Sequence, residues 1–177
     1  LPAVGEWFTP PFATMYSQTI PGLNDLVFIP VVIPSNVSSI DRITVEVTSS
    51  TASATVRLGL YSPDSSNKPG ALLVDGGTVA CTSPGFYSVT ISQAVTARGL
   101  LYVGVASQGA TPVLRQAGTG IMLKGSPIPS STASEVFVRT ETLGWRQTGV
   151  SGSLPNPAVP VRAAAADIQP IVALRRA

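Results

Sequence analysis

The chain has 177 residues, 44% of them apolar and only 11% charged; 11 basic and 9 acidic side chains leave a net charge of +2, and there is no histidine. An ordinary soluble domain is about 25% charged, whereas here Ser, Thr, Gly and Pro fill the gap, and 16 Gly and 16 Pro break the chain too often for long helices. The composition argues against a nucleic-acid binder with a clustered basic face and against histidine chemistry, and it predicts an all-β fold of many short strands, a β-sandwich or barrel.

Residues 1–14, LPAVGEWFTPPFAT, form a Pro-rich aromatic lead-in. Trp7, Phe8 and Phe12 crowd around Pro10-Pro11. A disordered leader rarely carries three such rings. They are expected to pack on the core edge or on a neighbouring chain, and they are the candidate intersubunit contacts. The single sandwich domain is expected over residues 15–177, with a loop-rich C-terminal third. The chain starts at Leu1 without a basic-then-apolar leader, which predicts a fragment or the product of upstream removal.

Residues 15–20 read as a first strand, and Pro21-Gly22-Leu23-Asn24-Asp25 as a turn. Residues 26–33 read as a second strand, where Pro30 predicts an edge or a bulge. This longest apolar run falls far short of the roughly 20 residues of a membrane-crossing helix, so no membrane span is expected. Residues 42–47 alternate, with Ile43, Val45 and Val47 on one face and Thr44 and Glu46 on the other. Val56, Leu58 and Leu60 form the next inward face, opposite Arg57 and Gly59. The polar link Ser49-Ser50-Thr51-Ala52-Ser53 predicts that residues 42–48 and 54–61 pair as a hairpin.

Residues 63–70, PDSSNKPG, are a long turn. Residues 71–75 and 78–82 read as short strands about Gly76-Gly77, a two-residue hairpin signal. Cys81, the only cysteine, sits in this alternating stretch; with no His or adjacent Lys/Arg to activate it, it reads as a small buried hydrophobe. Residues 86–91 form another strand. Residues 100–106 are almost continuously apolar and predict a central strand covered on both faces. Residues 113–116 add one more. Beyond residue 117 the pattern thins: 121–124 and 135–139 read as short strands, 149–160 as loop and 170–175 as a closing strand.

Catalytic equipment is sparse. Without histidine the usual Ser–His and Cys–His pairs are absent, and neither lysine, Lys68 or Lys124, lies in a Ser-x-x-Lys motif. Glycoside hydrolysis needs two facing carboxylates. Most of the nine acids sit at turns, where Asp caps backbone, and a convergent pair is left open. Asp64-Ser65-Ser66-Asn67 offers oxygen ligands that would suit Ca²⁺, but the spacing is not that of an EF-hand and these are ordinary turn formers. Zinc lacks its ligands. No cofactor and no enzymatic activity are therefore expected. Exposed aromatics are the remaining candidates, as platforms for sugar rings. Of Tyr61, Phe86, Tyr87, Tyr102, Phe137 and Trp145, Tyr61 and Tyr102 sit in strand patterns and read as core, and Trp145, Tyr87 and Phe137 are taken as the candidate glycan contacts. Trp145, between Gly144 and Arg146, is the least core-like, with burial against the sandwich flank as open for it as ligand contact.

Residues 57–61 (RLGLY), 68–70 (KPG), 73–79 (LVDGGTV), 85–91 and 99–106 (GLLYVGVA) together resemble a β-sandwich module of tail fibres and other appended structural proteins of tailed bacteriophages. Residues 145–155, WRQTGVSGSLP, are similar to that family's late loop before a last strand ending in Arg. The resemblance spans roughly residues 40–177. It implies a virion surface protein, a tail-fibre or head-fibre domain with an all-β, antiparallel, jelly-roll-like β-sandwich, whose partners are other virion proteins and host surface polysaccharide, assembled as a homo-oligomer, with a trimer favoured. A capsid or tail decoration protein of purely structural role is the alternative. The low charge suits a chain whose flanks rest against neighbours.

Overall fold

The computed structural model describes residues 1–10, 15–19, 22–96, 98–117, 144–162 and 170–177. These residues form β1 (Trp7–Phe8), β2 (Met15–Thr19), β3 (Leu26–Val32), β4 (Ser39–Ser49), β5 (Thr55–Pro63), β6 (Pro69–Ala80), β7 (Gly85–Ala94), β8 (Leu100–Gln108), β9 (Val113–Ala117), β10 (Trp145–Gln147), β11 (Val161–Arg162) and β12 (Val172–Arg176). Among the described residues there is no helix, and hence none long and apolar enough to cross a membrane. The strands make two antiparallel sheets, and the fold is a β-sandwich. In sheet A the order is β1-β12-β4-β9-β2, with β7 also paired to β4; in sheet B it is β11-β10-β3-β8-β5-β6.

The main core lies between the sheets. Sheet A contributes Ile40, Ile43, Val45, Val47, Leu114, Val172 and Leu174; sheet B contributes Val27, Ile29, Val31, Val56, Leu58, Leu60, Val103 and Val105. β-branched residues dominate because they fit the pleated, half-buried surface. Their alternation within β4 and β5 is the one the sequence predicts, but the pairing is not. β4 pairs with β7, β9 and β12, and β5 pairs with β6 and β8. Residues 50–54 therefore carry the chain from one sheet to the other instead of closing a hairpin. Two neighbouring strands that each have one apolar face satisfy that pattern equally by facing one another across a core.

Gly76-Gly77 is a second departure. Instead of turning, it lies inside the continuous strand β6, where the register against β5 shifts between Arg57 and Gly59. Gly77 has φ 81°, and its N–H donates to its neighbour Asp75 Oδ1 at 2.9 Å. This is a bulge, the other way in which a strand uses a left-handed glycine. Pro30 keeps its expected role in local form: β10 covers β3 only along Leu26–Phe28, so β3 has no β10 partner at Pro30. Cys81 is fully buried in the main core, and burial pushes its thiol up to about 11. The expected strands at 121–124 and 135–139 lie outside the described residues, as do the candidate contacts Phe12 and Phe137.

β8 runs between β3 and β5 and is buried along nearly its whole length, as its sequence predicts. Leu101, Val103 and Val105 face the main core. Tyr102 and Ala106 face outward into a second cluster with Leu26, Phe28, Tyr61, Val150, Leu154 and Ala158. The last three of these belong to the segment 149–160. That segment has no regular structure, yet it acts as a third layer on the outer face of sheet B.

Candidate functional site

The outer face of sheet B is shaped by two glycines. Cross-strand register aligns Trp145 with Phe28, Phe28 with Gly104, and Gly104 with Gly59. A Cβ on Gly104 would come within 2.9 Å of Tyr61 Cε2, and one on Gly59 within 2.3 Å of Leu154 Cδ1. The bare backbone thus makes a trough, filled by the ring of Tyr61 and the side chain of Leu154. Tyr61 meets Phe28 edge-on, with centroids 5.1 Å apart and planes at 80°, a favoured aromatic geometry.

Polar side chains of the sheet fasten the 149–160 segment over this trough. Gln108 Nε2 donates to Val150 O (2.9 Å) and Gly152 O (2.8 Å). Tyr61 Oη donates to Pro155 O at 3.1 Å. Leu72 N donates to Asn156 Oδ1 at 3.1 Å, and Ala158 N to Gly70 O at 2.8 Å. The Asp75 carboxylate accepts from Leu154 N at 3.0 Å while it is paired with the Arg57 guanidinium at 2.8 Å. Burial works to raise Asp75, but its hydrogen bonds from Arg57, Leu154 and Gly77 outweigh that and hold the carboxyl below its ordinary value. A loop segment anchored at so many points presents its exposed atoms in one arrangement.

Trp145 stands at the border of this face. It is half-buried against the second cluster, and Lys68 Nζ lies 5.3 Å from its ring centroid. Its indole N–H is buried near Tyr102 Oη but outside hydrogen-bond geometry. The Tyr102 hydroxyl instead donates to Asn67 O at 2.5 Å, fixing the 64–68 turn beside the indole. Burial, reinforced by the charge of Asp64, pushes the Tyr102 phenol up to about 12. The turn is closed from within: Asp64 Oδ1 accepts the N–H groups of Ser66 (2.7 Å) and Lys68 (2.8 Å), and Asn67 takes φ 58°. Asp64 and Asn67, weighed above as Ca²⁺ ligands, thus have turn-forming roles.

The other candidates lie elsewhere. Tyr87 is on sheet A, packed against the main core, with its hydroxyl donating to Ser83 O at 2.7 Å and accepting from Ser83 N at 3.1 Å. The exposed ring of β7 is its neighbour Phe86, 77% accessible. Phe8 packs on the main core of its own chain. Trp7 is 44% accessible and carries the Arg175 guanidinium 5.8 Å from its centroid. Arg175 also pairs with Asp41 at 2.5 Å.

The described carboxylates are held in local contacts. Asp75 and Asp41 are paired as given above, Glu46 pairs with Arg115 at 2.8 Å and Asp25 with Arg146 at 3.8 Å. Glu6 Oε2 accepts Ala3 N at 2.7 Å. Among the described residues no group of three or more His, Cys, Asp or Glu is placed to hold a metal ion. Lys68, Asp75 and Gln108 carry no site signal of their own in the sequence: Lys68 and Asp75 lie within the motif stretches 68–70 and 73–79, and Gln108 just beyond 99–106.

No protein-family model and no curated protein sequence matches the chain. The bacteriophage resemblance therefore rests on the residues that carry it.

Proposed function

We propose that this chain is a bacteriophage virion structural protein, a tail-fibre or head-fibre domain that contacts host surface glycan and has a binding rather than a catalytic role. The observation that carries the reading is the loop-covered outer face of sheet B. There a segment without regular structure is fastened by Gln108, Asp75 and Tyr61, and a half-exposed Trp145 stands at its margin. A rigid scaffold that presents irregular loops and an aromatic edge suits recognition of a sugar, whose apolar face packs on a ring while its hydroxyls meet backbone and small polar groups. The motif residues have matching structural duties: Gly59 and Gly104 form the trough, Tyr61 anchors the loop, and Arg57 and Asp75 pair beneath it. On this reading the protein sits on the particle surface as a homo-oligomer, a trimer by family analogy, among other virion proteins.

A second reading is favoured by the accessible Trp7 and Phe86 on sheet A. Rings on a flank away from the loop face suit burial against a neighbouring subunit, which is the decoration or cement role. Binding of labelled protein to host cells, with and without their surface polysaccharide, separates the two. Saturable binding that disappears with the polysaccharide supports the adhesin; absence of binding by folded, assembled protein favours decoration.

A further inference from the structure

A tryptophan whose ring is already covered is a poor platform for a neutral sugar, because the sugar's apolar face competes with whatever covers the indole. Trp145 is in this position. Its ring carries the ammonium of Lys68 at 5.3 Å, and Lys68 is itself exposed. Lys68 has no carboxylate partner among the described residues. Asp64, the acid of its own turn, directs Oδ1 to the backbone N–H groups of Ser66 and Lys68. The adjacent Arg146 is engaged with Asp25 at 3.8 Å. The cation on the indole is thus available to an acid from outside the chain.

We infer that Lys68 and Trp145 form a subsite for a carboxylate-bearing sugar, with Lys68 as a displaceable cover. This rests on the glycan-contact reading above and narrows it to acidic glycans. A sugar carboxylate draws the ammonium off the ring, Lys68 Nζ donates to it, and the apolar face of the same sugar takes the vacated indole surface. The exchange favours an acidic ligand, since an exposed cation–π contact is weaker than a charge-assisted hydrogen bond. A neutral sugar would have to displace Lys68 without that return. Only the lysine side chain needs to move. The Tyr102–Asn67 hydrogen bond holds the turn, and the exposed Ser65 and Ser66 remain beside it to meet sugar hydroxyls.

The test uses the full chain and one probe in two forms: an oligogalacturonate, and the same oligosaccharide with its carboxyls reduced to alcohols. Kd is measured by calorimetry. Emission is followed in a Trp7→Phe background, which leaves Trp145 as the sole remaining tryptophan of the 2. The acidic form is expected to bind about tenfold more tightly than the reduced form (about 1.4 kcal/mol), to perturb Trp145 emission, and to weaken as salt is raised. Lys68→Gln is expected to abolish the preference and Lys68→Arg to retain it. Lys68 is exposed, so both variants should fold. Equal affinity for the two forms, unchanged by Lys68→Gln, would overturn the acidic subsite and leave glycan contact standing. Binding to neither form, while host-cell attachment still requires polysaccharide, would overturn the subsite alone; loss of that attachment as well would sink both readings.

Discussion

The carboxylate of Asp75 in β6 accepts the backbone N–H of Leu154 at 3.0 Å, joining residues 79 apart in the chain. The same carboxylate holds Arg57 of β5 and the N–H of the Gly77 bulge. One side chain thus couples a strand pair, a bulge and the segment that covers the outer face of sheet B. The bulge is part of this arrangement, because it brings an N–H back to the acid.

Asp75→Ala should destabilise the fold by about 2–3 kcal/mol, the usual cost of losing hydrogen bonds to a charged group and stranding a half-buried guanidinium. Hydrogen exchange should show residues 149–160 losing protection before the strands of the main core. Equal loss of protection in β8 and in the loop would contradict a local role for Asp75.

The two bulge glycines should differ. Gly77→Ala meets open space and pays only for its positive φ, about 1–2 kcal/mol. Gly76→Ala places a Cβ 2.6 Å from Val89 Cγ2 and 2.9 Å from Leu58 O. Gly76 has no positive φ to relieve, but overpacking against a backbone oxygen that cannot give way should cost about 3 kcal/mol, the upper end of the usual range. Urea denaturation of the two variants should rank Gly76→Ala as the more damaging.

Stability should form a plateau in pH with an explicable edge at each end. Asp75, Asp41 and Glu46 are held below their ordinary values of 3.8, 3.8 and 4.5 by their arginine partners and hydrogen bonds. A depressed folded pKa contributes stability that is present above the unfolded value and lost as pH falls through the folded one. The acid edge therefore begins near the ordinary values and runs downward. Cys81 and Tyr102 are raised by burial, from 9.0 to about 11 and from 10.0 to about 12. Their contribution is complete below the ordinary values and is lost as pH rises through the folded ones. Cys81→Ala should thus delay the onset of the alkaline edge by about one pH unit in denaturation measured against pH.

Tyr87→Phe removes a hydroxyl bonded to Ser83 at an exposed turn, where water replaces the lost partner, and should shift the urea midpoint only slightly. It should leave cell attachment unchanged, because the ring of Tyr87 packs on the main core and its hydroxyl is committed to its own turn. Loss of attachment with unchanged stability would move the contact surface to β7.

Much of the sandwich was legible because its signal is local. Alternation in residues 42–47 and the apolar run of 100–106 fix which faces are buried, and the central, two-sided burial of β8 follows directly. Partner choice is not local. The hairpin expected between 42–48 and 54–61 failed because alternation specifies a face and does not name its neighbour. Gly76-Gly77 failed for a related reason: a left-handed glycine serves a bulge as well as a turn, and only the charge pair beneath it decides. Trp145 stands out by its Gly-rich sequence surroundings, although the structure places it in strand β10, paired with β3, and not in a loop. Lys68 does not stand out, because the turn that places it over the indole is oriented by Tyr102, 35 residues away in the chain.

The central claim is that the Trp145 face of sheet B makes the host contact. The most direct measurement compares Trp145→Ala and Trp7→Ala, each as folded, assembled protein, for saturable attachment to cells bearing surface polysaccharide. The account predicts that Trp145→Ala reduces attachment at least about tenfold, a loss of about 1.4 kcal/mol, and that Trp7→Ala does not. Attachment that survives Trp145→Ala and fails with Trp7→Ala would contradict it and place the working surface on sheet A.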